Sequence, residues 1–211
     1  MNKEEFIEEL KKIEVNLTED QLNKLEMFYE LLIEWNNKIN LTRITDKEDV
    51  YLKHFYDSLT IVKEVDLNKV DTLCDVGTGA GFPGIVLKIC FPNLKMTLID
   101  SLNKRVNYLN EIIKKLDLKE IEAVHTRAED YKGSFDVVTS RAVARLDKLI
   151  NWCINLVKKD GIFIAMKANV EEELLNIEKE LARNKCKIEE INRFKLPKEN
   201  SNRTLIVLKR Y

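Results

Sequence analysis

The residues with the clearest chemical meaning form a glycine-rich loop at positions 75–84, which reads Asp-Val-Gly-Thr-Gly-Ala-Gly-Phe-Pro-Gly. The chain of 211 residues has six glycines, and four of them lie in this loop. Average usage of about 7% would give about fifteen over the same length. Because glycine has no β-carbon, its backbone can turn tightly and a ligand can approach it closely. The cluster indicates one ligand-binding loop, with a purely structural loop as the alternative.

Two classes of ligand fit the spacing of this loop. Residues 79–84 match the G-x-G-x-x-G pattern of dinucleotide-binding loops, and Asp100 follows at about the distance of the ribose-binding acid. Counted from the strand before it, the loop is instead an acid followed by alternate glycines, D-x-G-x-G-x-G, starting at Asp75. A carboxylate there repels a pyrophosphate but attracts the ammonium and sulfonium groups of S-adenosylmethionine. We therefore favour S-adenosylmethionine over a nicotinamide or flavin dinucleotide, with Asp100 accepting hydrogen bonds from both ribose hydroxyls.

The spacing of apolar side chains along the chain changes near residue 65. Residues 1–65 show helical spacing of apolar side chains, with capping-box pairs at Thr18 and Gln21 and at Thr45 and Glu48. Beyond them, short β-branched runs alternate with helical stretches. This alternation is typical of a parallel sheet with helices on both faces.

The expected elements define an architecture. Strands are predicted at 72–76, 96–100, 121–125, 135–140, 161–167, 187–194 and 204–210, and helices at about 84–91, 103–116, 146–157 and 170–184. Only a loop separates the last two strands, so they should pair antiparallel. We expect an α/β fold of the class I S-adenosylmethionine-dependent methyltransferase type, with a Rossmann-like seven-stranded sheet ending in an antiparallel hairpin. Residues 66–211 would form this domain, and residues 1–65 a helical extension packed on it.

Positively charged side chains are predicted to meet at the ligand-binding edge of this sheet. Ligands of open α/β sheets bind beyond the carboxyl ends of the parallel strands, and an antiparallel last strand begins at that same edge. The cations concerned are Lys104, Arg127, Arg141, Arg145, Lys198 and Arg203. Because the whole chain has a net charge of −1, a local cationic edge suggests contact with RNA phosphates. Ordinary solvated surface charge is the alternative for each of them.

Five segments along nearly the whole chain form a specific combination. They are Trp35-Asn36-x-x-x-Asn40-Leu41-Thr42, His54-Phe55-x-Asp57-Ser58-Leu59, the loop at 75–84, Asp100-Ser101-x-x-Lys104-Arg105, and Ser140-Arg141-Ala142. This combination resembles the bacterial 16S ribosomal RNA guanine methyltransferase family that makes 7-methylguanosine, also called glucose-inhibited division protein B. To the cofactor contacts that the loop itself indicates, Asp75, Gly79, Gly81 and Asp100, the resemblance adds Gly77, Phe82, Ala128, Glu129 and Arg141. One departure is Lys167-Ala168, where the family is expected to have Lys-Gly.

The catalytic groups that the sequence lacks are informative. The segment after the fourth strand, Ser140-Arg141-Ala142, is not the Asn/Asp-Pro-Pro-aromatic clamp that serves exocyclic amino nitrogens. The four scattered cysteines are interpreted as core residues and not as the nucleophile that pyrimidine carbon 5 requires. Atom N7 of guanine already carries a lone pair, so placement of the base suffices. We expect no catalytic acid or base, with Arg141 nearest to the reaction. His54 and Asp57 are either pocket residues or a helix-packing pair.

Composition restricts where the protein works. The longest uninterrupted apolar run, 162–166, is far shorter than the roughly 18 residues of a membrane span, and residues 1–10 are acidic and lack a signal-peptide pattern. Four scattered cysteines and two histidines argue against a disulfide framework or a metal centre. We expect a cytoplasmic monomer, without metal or membrane, whose partner is 16S rRNA in the small ribosomal subunit. The alternatives are a methyltransferase for another RNA, a small molecule or a protein, and a cofactor-binding module without turnover.

Overall fold

Seven strands form one sheet in the computed structural model, which describes residues 1–175 and 177–211. The strands are β1 (Thr72–Val76), β2 (Lys95–Asp100), β3 (Ile121–His125), β4 (Phe135–Arg141), β5 (Val157–Lys167), β6 (Cys186–Lys195) and β7 (Asn202–Arg210). Their order across the sheet is β3-β2-β1-β4-β5-β7-β6. The first five strands run parallel, while β7 pairs antiparallel with both β5 and β6. The predicted α/β fold with a terminal antiparallel hairpin is confirmed.

The order of the strands places the glycine loop at a switch point. After β1 the chain moves outward to β2 and β3, and it then returns to place β4 on the other side of β1. Asp75 pairs in register with Leu98 of β2 on one side and with Thr139 of β4 on the other. The crevice beyond the carboxyl end of such a central strand is where open α/β sheets bind ligands.

Nine α-helices lie within the described residues. They are α1 (Lys3–Lys11), α2 (Glu19–Ile39), α3 (Lys47–Val50), α4 (Asp57–Leu59), α5 (Gly84–Cys90), α6 (Asn103–Lys115), α7 (Leu146–Cys153), α8 (Glu171–Leu174) and α9 (Glu178–Arg183). A π-helical segment, Tyr51–Tyr56, joins α3 to α4, and 3₁₀ turns lie at Thr60–Lys63, Leu67–Lys69, Ala128–Asp130 and Ile154–Leu156. In this part of the chain no helix is both long enough and apolar enough to cross a membrane.

Two helix predictions need correction. The single helix expected at 170–184 is two short helices, because Leu175 adopts an extended backbone with ψ of 126° and ends α8; Asn176 lies outside the described residues. The third helix is capped by Asp46 and not by Thr45, because the Asp46 carboxylate accepts the hydrogen bond from the Asp49 amide, and α3 then begins at Lys47. The capping box of Thr18 and Gln21 is confirmed at the start of α2.

The N-terminal helices share an apolar core with one face of the sheet. Phe28 of α2 stacks on Phe55 with ring centroids 5.8 Å apart, and it also packs on Phe82 of the glycine loop at 5.3 Å. All three rings are buried. A second core lies under α7 on the opposite face, where Leu149 and Ile150 are fully buried. The helices before residue 66 therefore support the glycine loop directly.

Candidate functional site

Gly79 provides the open part of the glycine loop. Its φ is +60°, a left-handed conformation that side chains rarely adopt, and an added β-carbon would have no atom closer than 3.8 Å. Its amide donates to Asp100 Oδ2 at 3.0 Å, which fixes the loop against the end of β2. At Gly79 the loop therefore presents partly accessible backbone beside a carboxylate, with space for a ligand.

Two of the predicted cofactor contacts lie behind the loop. Asp75 is fully buried and its Oδ2 accepts from the Gly84 amide at 2.9 Å. Burial raises the pKa of Asp75 to about 6, against the opposing effect of that amide. A β-carbon on Gly81 would lie 2.7 Å from the Ile85 side chain, so this glycine serves the packing of the loop on α5. Asp75 and Gly81 thus support the loop from beneath and line neither of the clefts described below, so their direct contact with the cofactor stays a prediction.

Asp100 is held by three donors from the protein. Oδ2 accepts from Gly79 and from Arg105 Nη1, the latter at 3.4 Å, while Oδ1 accepts from the Leu102 amide at 2.9 Å. A carboxylate has about four lone-pair sites. One site is left for a ribose hydroxyl, and a second opens only when Arg105 moves away. The sequence pattern points to its neighbour Lys104 and carries no signal for Arg105.

Two clefts of about 370 Å³ each meet beside the loop. The strand cleft lies over the ends of β1, β2 and β3, and it is lined by Val76, Gly77, Ile99, Asp100, Ser101, Thr126, Arg127, Ala128, Glu129, Val143 and Trp152. The loop cleft is lined by Leu41, Thr42, His54, Gly77, Thr78, Gly79, Ala80, Phe82, Asp100, Ser101, Arg105, Arg141, Ala142 and Val143. Because the clefts share Gly77, Asp100, Ser101 and Val143, one elongated ligand can occupy both.

The strand cleft fits a flat aromatic base. Ala128 and Glu129, which the family resemblance assigns to the adenine end of the cofactor, line it. Ile99, Val143 and Trp152 add apolar surface. Trp152 was missed because it lies on α7, a helix whose apolar spacing predicts only core packing.

Arg141 ends β4 and turns toward the N-terminal helices. Its Nη1 donates to the carbonyl oxygen of Lys53 and to Asp57 Oδ2, both at 3.0 Å, and its Nη2 lies 3.0 Å from His54 Nδ1. Arginine can only donate, so Nδ1 of His54 is the acceptor and the ring proton is on Nε2. That Nε2 donates to Thr42 Oγ1 at 2.9 Å. His54 and Asp57 thus meet on Arg141 and not on each other.

Asp57 joins three parts of the fold. While Oδ2 accepts from Arg141 of β4, Oδ1 accepts from Nε of Arg203 in β7 at 2.8 Å. The Asp57 side chain is 7% exposed, so both ion pairs are largely removed from water.

His54 is neutral at physiological pH. Its pKa is lowered to about 3, mainly by burial and to a smaller extent by the positive charge of Arg141.

A third space, the arginine cavity, adjoins the loop cleft at Arg141. Its volume is about 410 Å³, and its lining is Ile44, Lys53, His54, Asp57, Thr60, Arg141, Ala142, Met166, Lys167, Ala168, Asn169, Glu173, Phe194, Arg203, Thr204 and Leu205. His54, Arg141 and Ala142 also line the loop cleft, so they form the wall that the two spaces share. Ala142 has a left-handed φ of +54°, an uncommon conformation for a residue with a side chain.

Comparison with known proteins identifies the family. The family model for GidB, rRNA small subunit methyltransferase G, matches residues 21–205. Ribosomal RNA small subunit methyltransferase G of Bacillus subtilis (strain 168) is 48% identical, covering 100% of this chain and 91% of that protein. The protein of the same name from Lysinibacillus sphaericus (strain C3-41) is 49% identical, covering 98% and 90%. The chain belongs to the GidB family.

Solved structures agree with the fold of the GidB family. A ribosomal protein L11 methylase from Lactobacillus delbrueckii subsp. bulgaricus has a TM-score of 0.59 at 21% identity, covering 75% of this chain and 79% of that one. A SAM-dependent methyltransferase from Aquifex aeolicus has a TM-score of 0.56 at 20% identity, covering 77% and 93%. Membership in a family described as rRNA small subunit methyltransferase G makes this chain a methyltransferase, whose cofactor is S-adenosylmethionine, and the solved structures share its class I fold. The open backbone at Gly79 and the joined clefts fit an elongated nucleoside with an amino-acid tail.

The predicted cations of this GidB-family protein do not form one free cluster. Arg127 is exposed and lines the strand cleft, whereas Lys104 is exposed outside the three spaces. Arg145 is 58% exposed and lies 3.5 Å from Asp147. Lys198 forms an ion pair with Glu5 of α1, and Arg203 with Asp57. The N-terminal helices supply the carboxylates that pair with Lys198 and Arg203, which the strand pattern does not reveal. The contact of these cations with RNA stays a prediction.

The GidB-family site contains no group suited to metal or thiol chemistry among the residues described. No group of three or more histidine, cysteine or carboxylate side chains there is placed to hold a metal ion. All four cysteines are buried, as predicted. Burial also raises the pKa of the Cys186 thiol to about 11, which disfavours the thiolate.

Proposed function

We propose that this protein transfers a methyl group from S-adenosylmethionine to N7 of a guanine in 16S rRNA of the small ribosomal subunit, forming 7-methylguanosine. The observation that carries the proposal is the shared wall of His54, Arg141 and Ala142, which lines both the loop cleft and the arginine cavity. A base in the arginine cavity would therefore lie next to the cofactor. Membership in a family described as rRNA small subunit methyltransferase G supports rRNA as the substrate.

The cofactor would lie along both clefts. Gly77, Ala128 and Glu129 would surround its adenine in the strand cleft, and Asp100 would bind its ribose. Its amino-acid end would then lie in the loop cleft, over Gly79 and beside Phe82 and Arg141. Asp75 and Gly81 would act indirectly, by setting the shape of the loop.

The chemistry requires placement and no proton transfer. S-adenosylmethionine supplies an electrophilic methyl group: the N7 lone pair forms the new carbon–nitrogen bond, the carbon–sulfur bonding electrons remain on sulfur, and the positive charge passes to the purine. Guanine N7 has no hydrogen, so no base is needed. The neutral His54 and the fully paired Asp57 are suited to rigid positioning. Approximation of two reactants alone can supply several kcal/mol of the barrier, on the order of 7–11 for the best cases.

The target base must leave its stack to reach the arginine cavity. Four cationic side chains line that cavity against two carboxylates, namely Lys53, Arg141, Lys167 and Arg203 against Asp57 and Glu173. The exposed Lys104, Arg127 and Arg145 would contact phosphates of the flanking RNA. Phosphate contacts of this kind supply affinity and register without reading sequence.

We also propose the organisation in which the enzyme acts. Residues 1–65 would be an extension of the methyltransferase domain at 66–211, since Phe28 and Phe55 pack on the loop residue Phe82. The protein would act as a metal-free monomer in the cytoplasm. Four buried, reduced cysteines are consistent with that compartment.

Methyl transfer to purified small subunits tests the function. Subunits and naked 16S rRNA from a strain lacking the protein are incubated with the enzyme and methyl-labelled S-adenosylmethionine, and the nucleosides are resolved by mass spectrometry. We expect label in 7-methylguanosine. Label in another nucleoside, or cofactor binding without transfer to any RNA, would overturn the proposal and favour another RNA substrate or a non-enzymatic module. Comparison of the two substrates also shows whether an assembled particle is required.

A further inference from the structure

Two carboxylates line the arginine cavity, and their hydrogen bonds differ. Both oxygens of Asp57 are taken by arginines. In Glu173, by contrast, Oε2 accepts from the Leu146 amide at 2.6 Å and lies 2.8 Å from Lys167 Nζ. Among residues 1–175 and 177–211, Oε1 of Glu173 accepts no hydrogen bond. One carboxylate oxygen is therefore left for a ligand.

The Glu173 carboxylate is fixed in place. Lys167 Nζ also donates to the carbonyl oxygen of Ala144 at 2.7 Å, so the cation is anchored on both sides. The side chains of Glu173 and Lys167 are 15% and 8% exposed. A carboxylate that is held through one oxygen in a partly dry cavity presents the other oxygen in a defined direction, which gives a hydrogen bond geometric selectivity.

Guanine is the base that matches such an acceptor. Its N1–H and exocyclic N2 amino group are adjacent donors on the Watson–Crick edge, while N7 lies on the opposite edge of the purine. When N7 faces the wall shared with the cofactor clefts, the N1 and N2 donors turn toward other side chains of the cavity. Adenine has an acceptor at N1, which a carboxylate would repel.

We propose that Glu173 Oε1 accepts hydrogen bonds from N1 and N2 of the target guanine and so determines the base specificity of the enzyme. This inference rests on the proposed function and deepens it. Glu173 is a binding residue in this role, because it touches the substrate base but takes no part in the transfer of the methyl group.

The decisive variant is Glu173→Gln. The Gln oxygen can continue to accept from Leu146 and Lys167, so the amide nitrogen faces the cavity. Its N–H groups would then oppose the N1–H and N2 amino groups of guanine, and no hydrogen bond could form. A charge-assisted hydrogen bond of ordinary strength predicts a loss of about 10- to 100-fold in kcat/KM. Glu171→Gln is the matched control on the same helix, because the Glu171 side chain is 71% exposed and Arg193 is its one ion-pair partner among the described residues.

An inosine substitution separates recognition from structure. The guanine that the wild-type enzyme methylates is first mapped, and the same 16S rRNA is then made with inosine, which lacks the N2 amino group, at that position. Wild-type enzyme and Glu171→Gln should methylate guanine faster than inosine by about tenfold or more, and Glu173→Gln should lose that preference. Because each preference is a ratio of two rates measured with the same enzyme, a loss of folded enzyme lowers both rates equally and cancels.

Three results would overturn either the role of Glu173 or the function on which it rests. An undiminished preference for guanine in Glu173→Gln, or equal losses on both RNAs, would assign Glu173 a purely structural role. If Glu173→Gln does not fold, Glu173→Asp keeps the charge with a shorter reach, and an unchanged preference in that variant would also overturn the inference. Absence of 7-methylguanosine with the wild-type enzyme would instead remove the proposed function, and this inference with it.

Discussion

Asp57 and Arg141 lie 84 residues apart in the chain, and their side chains meet with Oδ2 3.0 Å from Nη1. Asp57 comes from the N-terminal helices, whereas Arg141 ends β4 beside the glycine loop. Arg203 of β7 binds the other oxygen of the same carboxylate. One buried carboxylate thus ties the helical extension to β4 and β7, two of the strands that border the arginine cavity. The cofactor clefts and the cavity therefore depend on the same residue for their shared wall.

Replacement of Asp57 should damage folding and activity together. Asp57→Asn leaves Arg141 and Arg203 in a poorly hydrated site without a counter-charge, and the loss of one partner of a buried ion pair costs about 3–5 kcal/mol. Urea unfolding should show that decrease, and methyl transfer should fall with it. Asp49→Asn is the control, because Asp49 is half exposed and its ion pair with Lys53 should contribute less than about 1 kcal/mol. Equal stability of the two variants would contradict this account.

Much of the fold was predictable because its signals are local. The bounds expected for the first and third strands, 72–76 and 121–125, are those of β1 and β3. Short β-branched runs and the glycine loop mark these strands within a few residues of sequence. The π-helical segment Tyr51–Tyr56 and the break at Leu175 have no such signal, since both depend on how the chain packs elsewhere.

The location of the site was predictable, but the ion pairs between its side chains were not. The alternation of strands and helices places Arg141 and Arg203 at one edge of the sheet. It does not say which carboxylate reaches them, because Asp57 arrives from a separate helical segment 146 residues before Arg203. For the same reason the pattern does not show that Lys198 pairs with Glu5.

Because His54 is neutral in the folded protein, the free energy of unfolding should decrease in acid. Its pKa falls from 6.5 in the unfolded chain to about 3 in the folded one, so the unfolded state binds the proton more readily below pH 6.5. Stability from this residue is present above pH 6.5 and is lost as the pH falls toward 3, by about 2 kcal/mol at pH 5. Chemical unfolding from pH 7.5 to 4.5 should therefore show a smaller acid loss in His54→Gln than in the wild type. Parallel curves for the two proteins would be inconsistent with a neutral His54.

Asp75 should have the opposite pH dependence. Burial raises its pKa from 3.8 to about 6, so the folded state binds the proton more tightly than the unfolded one. The stability gained is fully present below pH 3.8 and is lost as the pH rises through 6, a change of about 3 kcal/mol. Asp75→Asn keeps an oxygen acceptor for Gly84 and removes this titration, so it should lose less stability than the wild type between pH 4 and 6.5. An identical pH dependence of unfolding in both proteins would exclude a raised pKa.

Two glycines of the loop should respond differently to substitution. Gly79→Val places a side chain in open space at a left-handed φ, which costs about 1–2 kcal/mol and blocks the cofactor. Gly84→Ala places a β-carbon 2.3 Å from Leu98 Cδ2 and should lower stability by about 1–3 kcal/mol through overpacking. Calorimetry with S-adenosylhomocysteine should detect no binding to folded Gly79→Val. Wild-type affinity in that variant would mean that the cofactor does not lie over the loop.

Arg127 provides the test of RNA contact, because it is the predicted cation that is both exposed and on a cofactor cleft. If Arg127 neutralises one phosphate, Arg127→Ala should weaken binding to 16S rRNA and reduce the slope of log affinity against log salt by about 0.7–0.9. The measurement uses saturating S-adenosylhomocysteine, so that changes in cofactor affinity do not contribute. Lys119→Ala is the matched control, since Lys119 is 75% exposed just before β3 begins, at the opposite edge of the sheet. An unchanged salt slope in Arg127→Ala would assign this arginine to the cofactor alone and leave phosphate binding to Lys104 and Arg145.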